Sequence, residues 1–145
     1  MINFELQYER PKHIGLKMEL SSSPSAASPA SSVWVGEDAF GFLEPSVKKH
    51  CAEYREFSHW GVTEIKRGEW LAIKEDWQRL AVKLGQTDNA REYDETVWLQ
   101  SDDSRRELTE NFEAIRSGVP RLIQELSHWI DDTLASRQSI FLKGI

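Results

Sequence analysis

The sequence of 145 residues is poor in cysteine and proline, with one and five respectively, and has no long apolar run. The single cysteine, Cys51, excludes an internal disulfide and a zinc site built from several thiolates. No stretch approaches the roughly 18 consecutive apolar residues that a membrane helix needs. The N-terminal residues also lack the apolar core of a signal peptide, so we expect a cytoplasmic protein.

Motifs that bind phosphate or present a nucleophile are absent from the sequence. There is no glycine-rich dinucleotide fingerprint, no P-loop and no Gly-x-Ser-x-Gly elbow. The four histidines include no pair at the i, i+4 spacing of a helical metal site, and we expect ordinary, partly exposed side chains. A metal site of His50, Cys51 and His59 is the alternative, but adjacent residues point to different sides of a helix. We therefore expect no metal and no cofactor.

Paired carboxylates, which could serve acid–base chemistry, have a simpler interpretation here. Glu75–Asp76 and Asp131–Asp132 fall on helix faces that we expect to be solvated. Cys51 falls on the apolar face of its helix, so we expect a small core residue and not a nucleophile. We therefore predict no catalytic residue, although a small hydrolase using a carboxylate–histidine pair in a deep pocket stays open as an alternative.

Alternating hydrophobicity predicts several short strands. A strand over residues 2–8 is predicted to form an antiparallel hairpin with a strand over residues 14–20. The stretch 21–32 holds seven serines and two prolines and is predicted to be a flexible loop. Further short strands are predicted at 33–35, 40–43, 59–65, 96–99 and 140–142.

Apolar residues at spacings of three and four predict about four helices. The clearest pattern is Trp70, Ile73, Trp77, Leu80 and Leu84, which predicts an amphipathic helix ending at Gly85. Other helices are predicted over 45–56, from a capping box at Ser104, and, after a break or bend at Gly118 and Pro120, up to Leu134. The pattern as a whole predicts an α+β fold, a small antiparallel sheet with about four packed helices, forming one domain over residues 1–145.

Charge is distributed unevenly along the chain. The net charge of −6 disfavours nucleic-acid binding and anionic membranes as partners. Residues 86–103 alone hold six acidic side chains and one basic side chain, Arg91. Two interpretations stay open: a solvated stretch, or a negative patch that steers a basic partner protein. The candidate partner-binding residues are Asp88, Glu92, Asp94, Glu95, Trp98, Asp102 and Asp103.

Six tryptophans are an unusual excess, and five of them divide into two groups. Trp70, Trp77 and Trp129 fall on inward helix faces and are expected in the core. Trp34 and Trp98 are the best candidates for half-exposed rings at an interface, where tryptophan is enriched.

A family resemblance adds to this reading over about residues 38–84. The stretches Phe40–Pro45 and His59–Ile65, with Glu69–Trp70 opening a long helix, resemble small bacterial proteins that include immunity proteins of toxin systems such as contact-dependent growth inhibition. The resemblance implies a non-enzymatic antitoxin that binds one cognate toxin domain and blocks its active site or substrate groove. The matched motifs are structural, so no binding residue is carried over from the family.

The resemblance and the charge pattern lead to the same functional hypothesis. We expect an immunity protein that neutralises a basic toxin domain, such as a nuclease, through its acidic surface, acting as a monomer or weak homodimer. The alternative is a non-catalytic adaptor subunit of another cytoplasmic complex. The identity of the partner separates the two hypotheses, because both predict a protein-binding surface.

Overall fold

The protein folds as one α+β domain. A computed structural model describes residues 2–11, 17–24, 31–54, 61–86 and 112–144. Four strands form one sheet and helices pack on it, as the hydrophobic pattern predicts. The elements are β1 (Lys17–Ser21), β2 (Ser32–Gly36), α1 (Glu37–Phe40), α2 (Glu44–His50), β3 (Val62–Lys66), α3 (Arg67–Gln86), α4 (Phe112–Leu134) and β4 (Ser139–Gly144).

The sheet is antiparallel throughout, with strand order β2-β1-β4-β3. Side chains alternate between its two faces, as the two-residue period of a strand requires. One face is buried against the helices and carries Met18, Leu20, Val33, Val35, Ile65, Ile140 and Leu142. The serine-rich stretch connects β1 to β2, and its end residues Ser21 and Ser32 are paired strand residues.

Helices α3 and α4 pack side by side and run antiparallel. Arg67 at the start of α3 donates hydrogen bonds to the carbonyls of Leu134 and Arg137. Lys74 forms an ion pair with Asp131 further along the two helices. These cross-links place the C-terminal end of α3 beside the N-terminal end of α4.

Two tryptophans of α3 form the centre of the core, as predicted. Trp70 and Trp77 have no exposed surface, and their ring centroids lie 6.1 Å apart in an edge-to-face arrangement. Each buried indole N–H has an acceptor: Trp70 donates to the carbonyl of Ile140 at 3.3 Å, and Trp77 to that of Leu43 at 3.1 Å. The two hydrogen bonds link α3 to β4 and to the turn before α2. Burial of the two rings therefore leaves neither indole N–H without an acceptor.

A break of the helix at Gly118 and Pro120, one of the two predicted outcomes, is wrong, because α4 continues through both residues. Proline in a helix interior costs about 3 kcal/mol. The buried face nevertheless runs unbroken across it, with Ile115, Val119 and Leu122 all inside. Burying several large side chains at about 1.5–3 kcal/mol each outweighs that cost.

The N-terminal prediction is partly wrong. Phe4 and Leu6 are buried and Glu5 is exposed, as alternation predicts, but Tyr8 is 60% exposed. Among the described residues, this segment pairs with the sheet only through the bridge between Gln7 and Trp34. The predicted hairpin of 2–8 with 14–20 is also wrong, since β1 pairs with β2 and β4. Alternating hydrophobicity predicts which side chains of a strand point inward, but it does not predict which strand pairs with it.

Residues 40–43 form no strand, contrary to prediction. Phe40 ends the single-turn helix α1, and a turn follows it. Phe40, Phe42 and Leu43 are all buried, which a short apolar run permits in either conformation. The helix predicted over 45–56 is shorter than expected, because α2 ends at His50 and Cys51 has extended backbone. The strand predicted at 96–99 and the capping box at Ser104 lie outside the described residues.

Candidate functional site

The predicted partner-binding residues lie outside the described residues, in the stretch 87–111 that connects α3 to α4. These residues are Asp88, Glu92, Asp94, Glu95, Trp98, Asp102 and Asp103. This stretch leaves the described fold after Gln86 and rejoins it at Phe112. The Arg116 guanidinium donates a hydrogen bond to the carbonyl of Gly85 at 3.3 Å, which joins the last turn of α3 to the first turns of α4.

Most of the net charge belongs to the connecting stretch. The described residues contain 15 acidic and 13 basic side chains, so they carry only −2 of the total −6. Residues 86–103 carry a net charge of −5. The residues outside both sets, among them Lys12, are net positive and bring the total to −6. The chain therefore combines a nearly neutral folded body with an acidic stretch attached at one end of its helix pair.

Trp34, the other candidate interface ring, is partly buried on the face of the sheet away from the helices. Its indole Nε1 is buried and has no hydrogen-bond partner among the described residues, and the same holds for Oε1 of Gln7 opposite it. Trp34 is therefore more buried than the half-exposed ring that the alternation of residues 33–35 predicts, and it offers a partner less contact area.

A polar cluster that the sequence analysis missed joins α2 to α3. The Nε2 atom of His50 lies 2.6 Å from Oδ2 of Asp76, whose side chain is only 11% exposed. Arg79 donates to the other oxygen of Asp76, and Nζ of Lys49 lies 3.5 Å from Oδ2. The prediction that Asp76 is solvated is therefore wrong, whereas Asp131 and Asp132 are exposed as predicted.

The electrostatics of this cluster favour the ionised carboxylate. Burial acts to raise the pKa of Asp76, but hydrogen bonds from Arg79 and His50 and the charge of Lys49 outweigh it, so the pKa is lowered. Among the described residues, no hydroxyl or thiol makes a hydrogen bond with His50. The cluster thus links two helices, and within the described ranges no nucleophile is hydrogen-bonded to the imidazole.

A second polar contact is buried in the core near α2. The hydroxyl of Tyr54 donates to Oε2 of Glu44 at 2.6 Å, and Nζ of Lys48 lies 3.6 Å from Oε1. Burial, followed by the Glu44 carboxylate, raises the pKa of Tyr54. Cys51 is fully buried, as predicted, and burial is the main cause of its raised thiol pKa. Neither a phenolate nor a thiolate is therefore favoured here at neutral pH.

The groove beside the N-terminal segment has a volume of about 630 Å³ and does not include the His50–Asp76 cluster. Its walls combine Glu5, Tyr8, Glu9, Arg10 and Lys17 with the backbone around them. The groove and the cluster are separate features, so this groove does not contain the acid–histidine pair that the hydrolase alternative requires.

The described part of the chain offers neither a cluster of metal ligands nor a helix suited to cross a membrane. No group of three or more histidine, cysteine or acidic side chains is close enough there to hold a metal ion. None of the helices described is both long and apolar enough to cross a bilayer. His59, the third member of the alternative metal site, lies outside the described residues.

Comparisons of the chain with protein-family models, with curated proteins and with solved structures found no match.

Proposed function

We propose that this chain is an immunity protein that neutralises a toxin domain with a basic groove, such as a nuclease. It does so by occupying the groove with its acidic stretch, residues 86–103. The observation that carries the proposal is the separation of charge: 15 acids against 13 bases in the described fold, and −5 within residues 86–103. Nuclease grooves must be basic because they bind phosphates. An acidic stretch of a partner protein competes with the nucleic acid for the same basic surface.

The position of the acidic stretch on the fold also supports the proposal. Gly85 and Arg116 bring its two ends together on the rigid α3–α4 pair, so it is held at both ends. Holding a binding segment at both ends reduces the conformational entropy that it loses on association. Opposite charge on the two partners then raises the rate of encounter by one to three orders of magnitude at low salt.

Trp98 has a different task in this proposal. Charge mainly accelerates association, whereas residence time depends on a few well-packed anchor side chains, among which tryptophan is enriched. Trp98 is the one tryptophan among residues 86–103. We expect it to slow dissociation and to contribute little to the association rate.

The decisive experiment mixes the purified chain with the toxin domain encoded by the neighbouring gene and measures both inhibition of the toxin and association by stopped flow at several salt concentrations. One variant neutralises four acids of the stretch, Asp88→Asn, Glu92→Gln, Asp94→Asn and Glu95→Gln. A control variant removes the same charge from exposed positions of the described fold, Glu9→Gln, Glu53→Gln, Glu75→Gln and Asp132→Asn.

We expect the first variant to associate about tenfold more slowly at low salt, and the control to change the rate less than about twofold. Trp98→Ala is expected to raise the dissociation rate about thirtyfold, which corresponds to about 2 kcal/mol. Equal slowing by both four-residue variants would contradict the local patch. Absence of toxin inhibition by the unmodified chain would overturn the immunity function, and acid-dependent binding to a protein without toxin activity would replace it with the adaptor function.

A further inference from the structure

Strand β3 lies at one edge of the sheet, and its hydrogen-bonding direction can be derived residue by residue. It pairs with β4 in the register Thr63 to Leu142 and Ile65 to Ile140. Beyond its two ends, the Gly144 N–H donates to Gly61 and the Arg67 N–H donates to Gln138. Residues of an antiparallel pair alternate in direction, so Thr63 and Ile65 bond to β4 while Val62 and Glu64 turn their N–H and C=O groups away from it.

The outward edge of β3 is exposed to solvent. Val62 is 55% exposed, and Glu64 and Lys66 are exposed as well. The N–H of Lys66 is used within the chain, since it donates to Oε1 of Glu69 at 3.0 Å. No described strand pairs with the outward groups of Val62 and Glu64. The edge therefore offers the backbone N–H and C=O groups of Val62 and Glu64, since the carbonyl of Lys66 accepts the first hydrogen bond of the helix that begins at Arg67.

We propose that the β3 edge binds an extended segment of a partner protein, which adds an antiparallel fifth strand to the sheet. Backbone hydrogen bonds supply affinity in this mode, and the side chains opposite supply selectivity. The complementary segment carries an apolar residue opposite Val62, a cationic residue opposite Glu64 and an anionic residue opposite Lys66. Each such cross-strand pair is expected to strengthen binding roughly 1.4- to 5-fold.

Glu64 is positioned to select the cation. The Ser139 hydroxyl donates to its Oε2 atom at 2.7 Å, which orients the carboxylate on the solvent-facing side of the sheet. A positive side chain at the position opposite then meets an ordered anion and not a freely rotating one. This reduces the entropy that the contact loses on binding.

A second copy of this chain is a poorer occupant of the edge. In an antiparallel pair of two β3 strands centred on Glu64, the two Glu64 carboxylates stand directly opposite each other, which is unfavourable. Shifting the register to place Glu64 opposite Lys66 brings Val62 opposite Gly68, which already lies in α3. The other shift places Glu64 opposite Val62 and leaves the carboxylate without a cation. Charged residues of this kind are a common protection against self-pairing at sheet edges.

The test uses a synthetic heptapeptide with threonine at its odd positions and glutamate, lysine and valine at positions two, four and six. Binding is measured by calorimetry, and amide hydrogen exchange is followed by NMR. In the free protein we expect the Val62 and Glu64 amides to exchange much faster than those of Thr63 and Ile65. Saturating peptide is expected to slow exchange at Val62 and Glu64 at least about fivefold.

Three variants make the test specific. Val62→Pro removes one outward donor, is compatible with an edge strand and should weaken peptide binding about tenfold, whereas Val62→Ala keeps the donor and should weaken it much less. Glu64→Lys should weaken binding of the lysine peptide and restore it when the peptide lysine is exchanged for glutamate. Should Val62→Pro fail to fold, a peptide N-methylated at its second, fourth and sixth positions tests the same hydrogen bonds on the unmodified protein.

The inference is overturned if the peptide leaves the exchange of Val62 and Glu64 unchanged, or if proline and N-methyl substitutions have no effect. Self-association that Val62→Pro abolishes, measured by ultracentrifugation, would assign the edge to a second copy instead. The experiment is independent of the proposed function, because the peptide probe has no toxin activity and β3 shares no residue with the range 86–103.

Discussion

Gly118 of α4 lies directly against the ring of Phe4. A Cβ atom built on Gly118 would come within 2.5 Å of Cδ2 and 2.7 Å of Cγ of Phe4, closer than such atoms approach in real proteins. Both residues are buried. The absence of a side chain at position 118 is therefore what allows the N-terminal segment to pack on α4.

Gly118→Ala should destabilise the protein, although alanine is about 1 kcal/mol better than glycine in a helix interior. The added methyl group must displace a buried ring, and overpacking of this kind costs about 1–3 kcal/mol. Urea unfolding measures the change. In α3, Gly68→Ala is the matched control: nothing lies within 4 Å of its Cβ position, so it should be neutral or slightly stabilising. Combining Gly118→Ala with Phe4→Ala should cost less than the sum of the single changes, and full additivity would contradict the steric explanation.

Tyr54→Phe should lower the free energy of unfolding by roughly 1–3 kcal/mol. It removes the hydroxyl that donates to Glu44, a carboxylate that is only 1% exposed. Leaving a buried acceptor with one bond fewer costs more than the net value of an average hydrogen bond. Tyr8→Phe, which alters an exposed hydroxyl, should stay within about 0.5 kcal/mol. Equal effects of the two changes in a urea unfolding series would show that the buried contact is not stabilising.

Asp76→Asn should destabilise the protein more at pH 5 than at pH 3. The pKa of Asp76 in the folded protein is lowered from the ordinary value of 3.8. A depressed pKa gives a contribution that is complete above the unfolded value and disappears as the pH falls through the folded one. The difference in unfolding free energy between the native chain and the variant should therefore shrink below pH 3.8. Asp132→Asn, at a largely exposed ion pair with His128, should show a difference near zero at both pH values.

Cys51 should react slowly with a soluble thiol reagent in the native protein. It has no exposed surface, and burial raises the pKa of its thiol, so both access and ionisation oppose the reaction. Because the chain has one cysteine, the labelling signal is unambiguous. The urea-unfolded chain provides the reference rate, and we expect native labelling at least about a hundredfold slower. Labelling of the native protein at the unfolded rate would contradict the core position.

Helical periodicity was the most informative part of the sequence. The spacing of Trp70, Ile73 and Trp77 predicts the buried face of α3, and the spacing in α4 predicts its face equally well. The helical period shows in the spacing of apolar residues that are close together in the sequence. The pairing of β1 with β4 joins Met18 to Gly144, and no local pattern encodes a partner so distant along the chain.

The candidate site likewise has features that the sequence predicts and features that depend on contacts between distant residues. Net charge and its concentration in residues 86–103 can be read directly from the sequence. The contact of His50 with Asp76 cannot, because the two residues belong to different helices and each looks solvent-exposed within its own helix. The outward direction of Val62 and Glu64 likewise depends on the register with β4.

The hydrogen bond between Arg116 and Gly85 has a consequence for how this protein could diversify. It joins α3 to α4 immediately outside residues 87–111, so this link between the two helices includes no residue of that stretch. Doubling the length of a connecting stretch costs only about 0.6 kcal/mol in closure entropy. We therefore expect the scaffold to accept connecting stretches of different length between α3 and α4 while Trp70, Trp77 and the sheet beneath them stay unchanged.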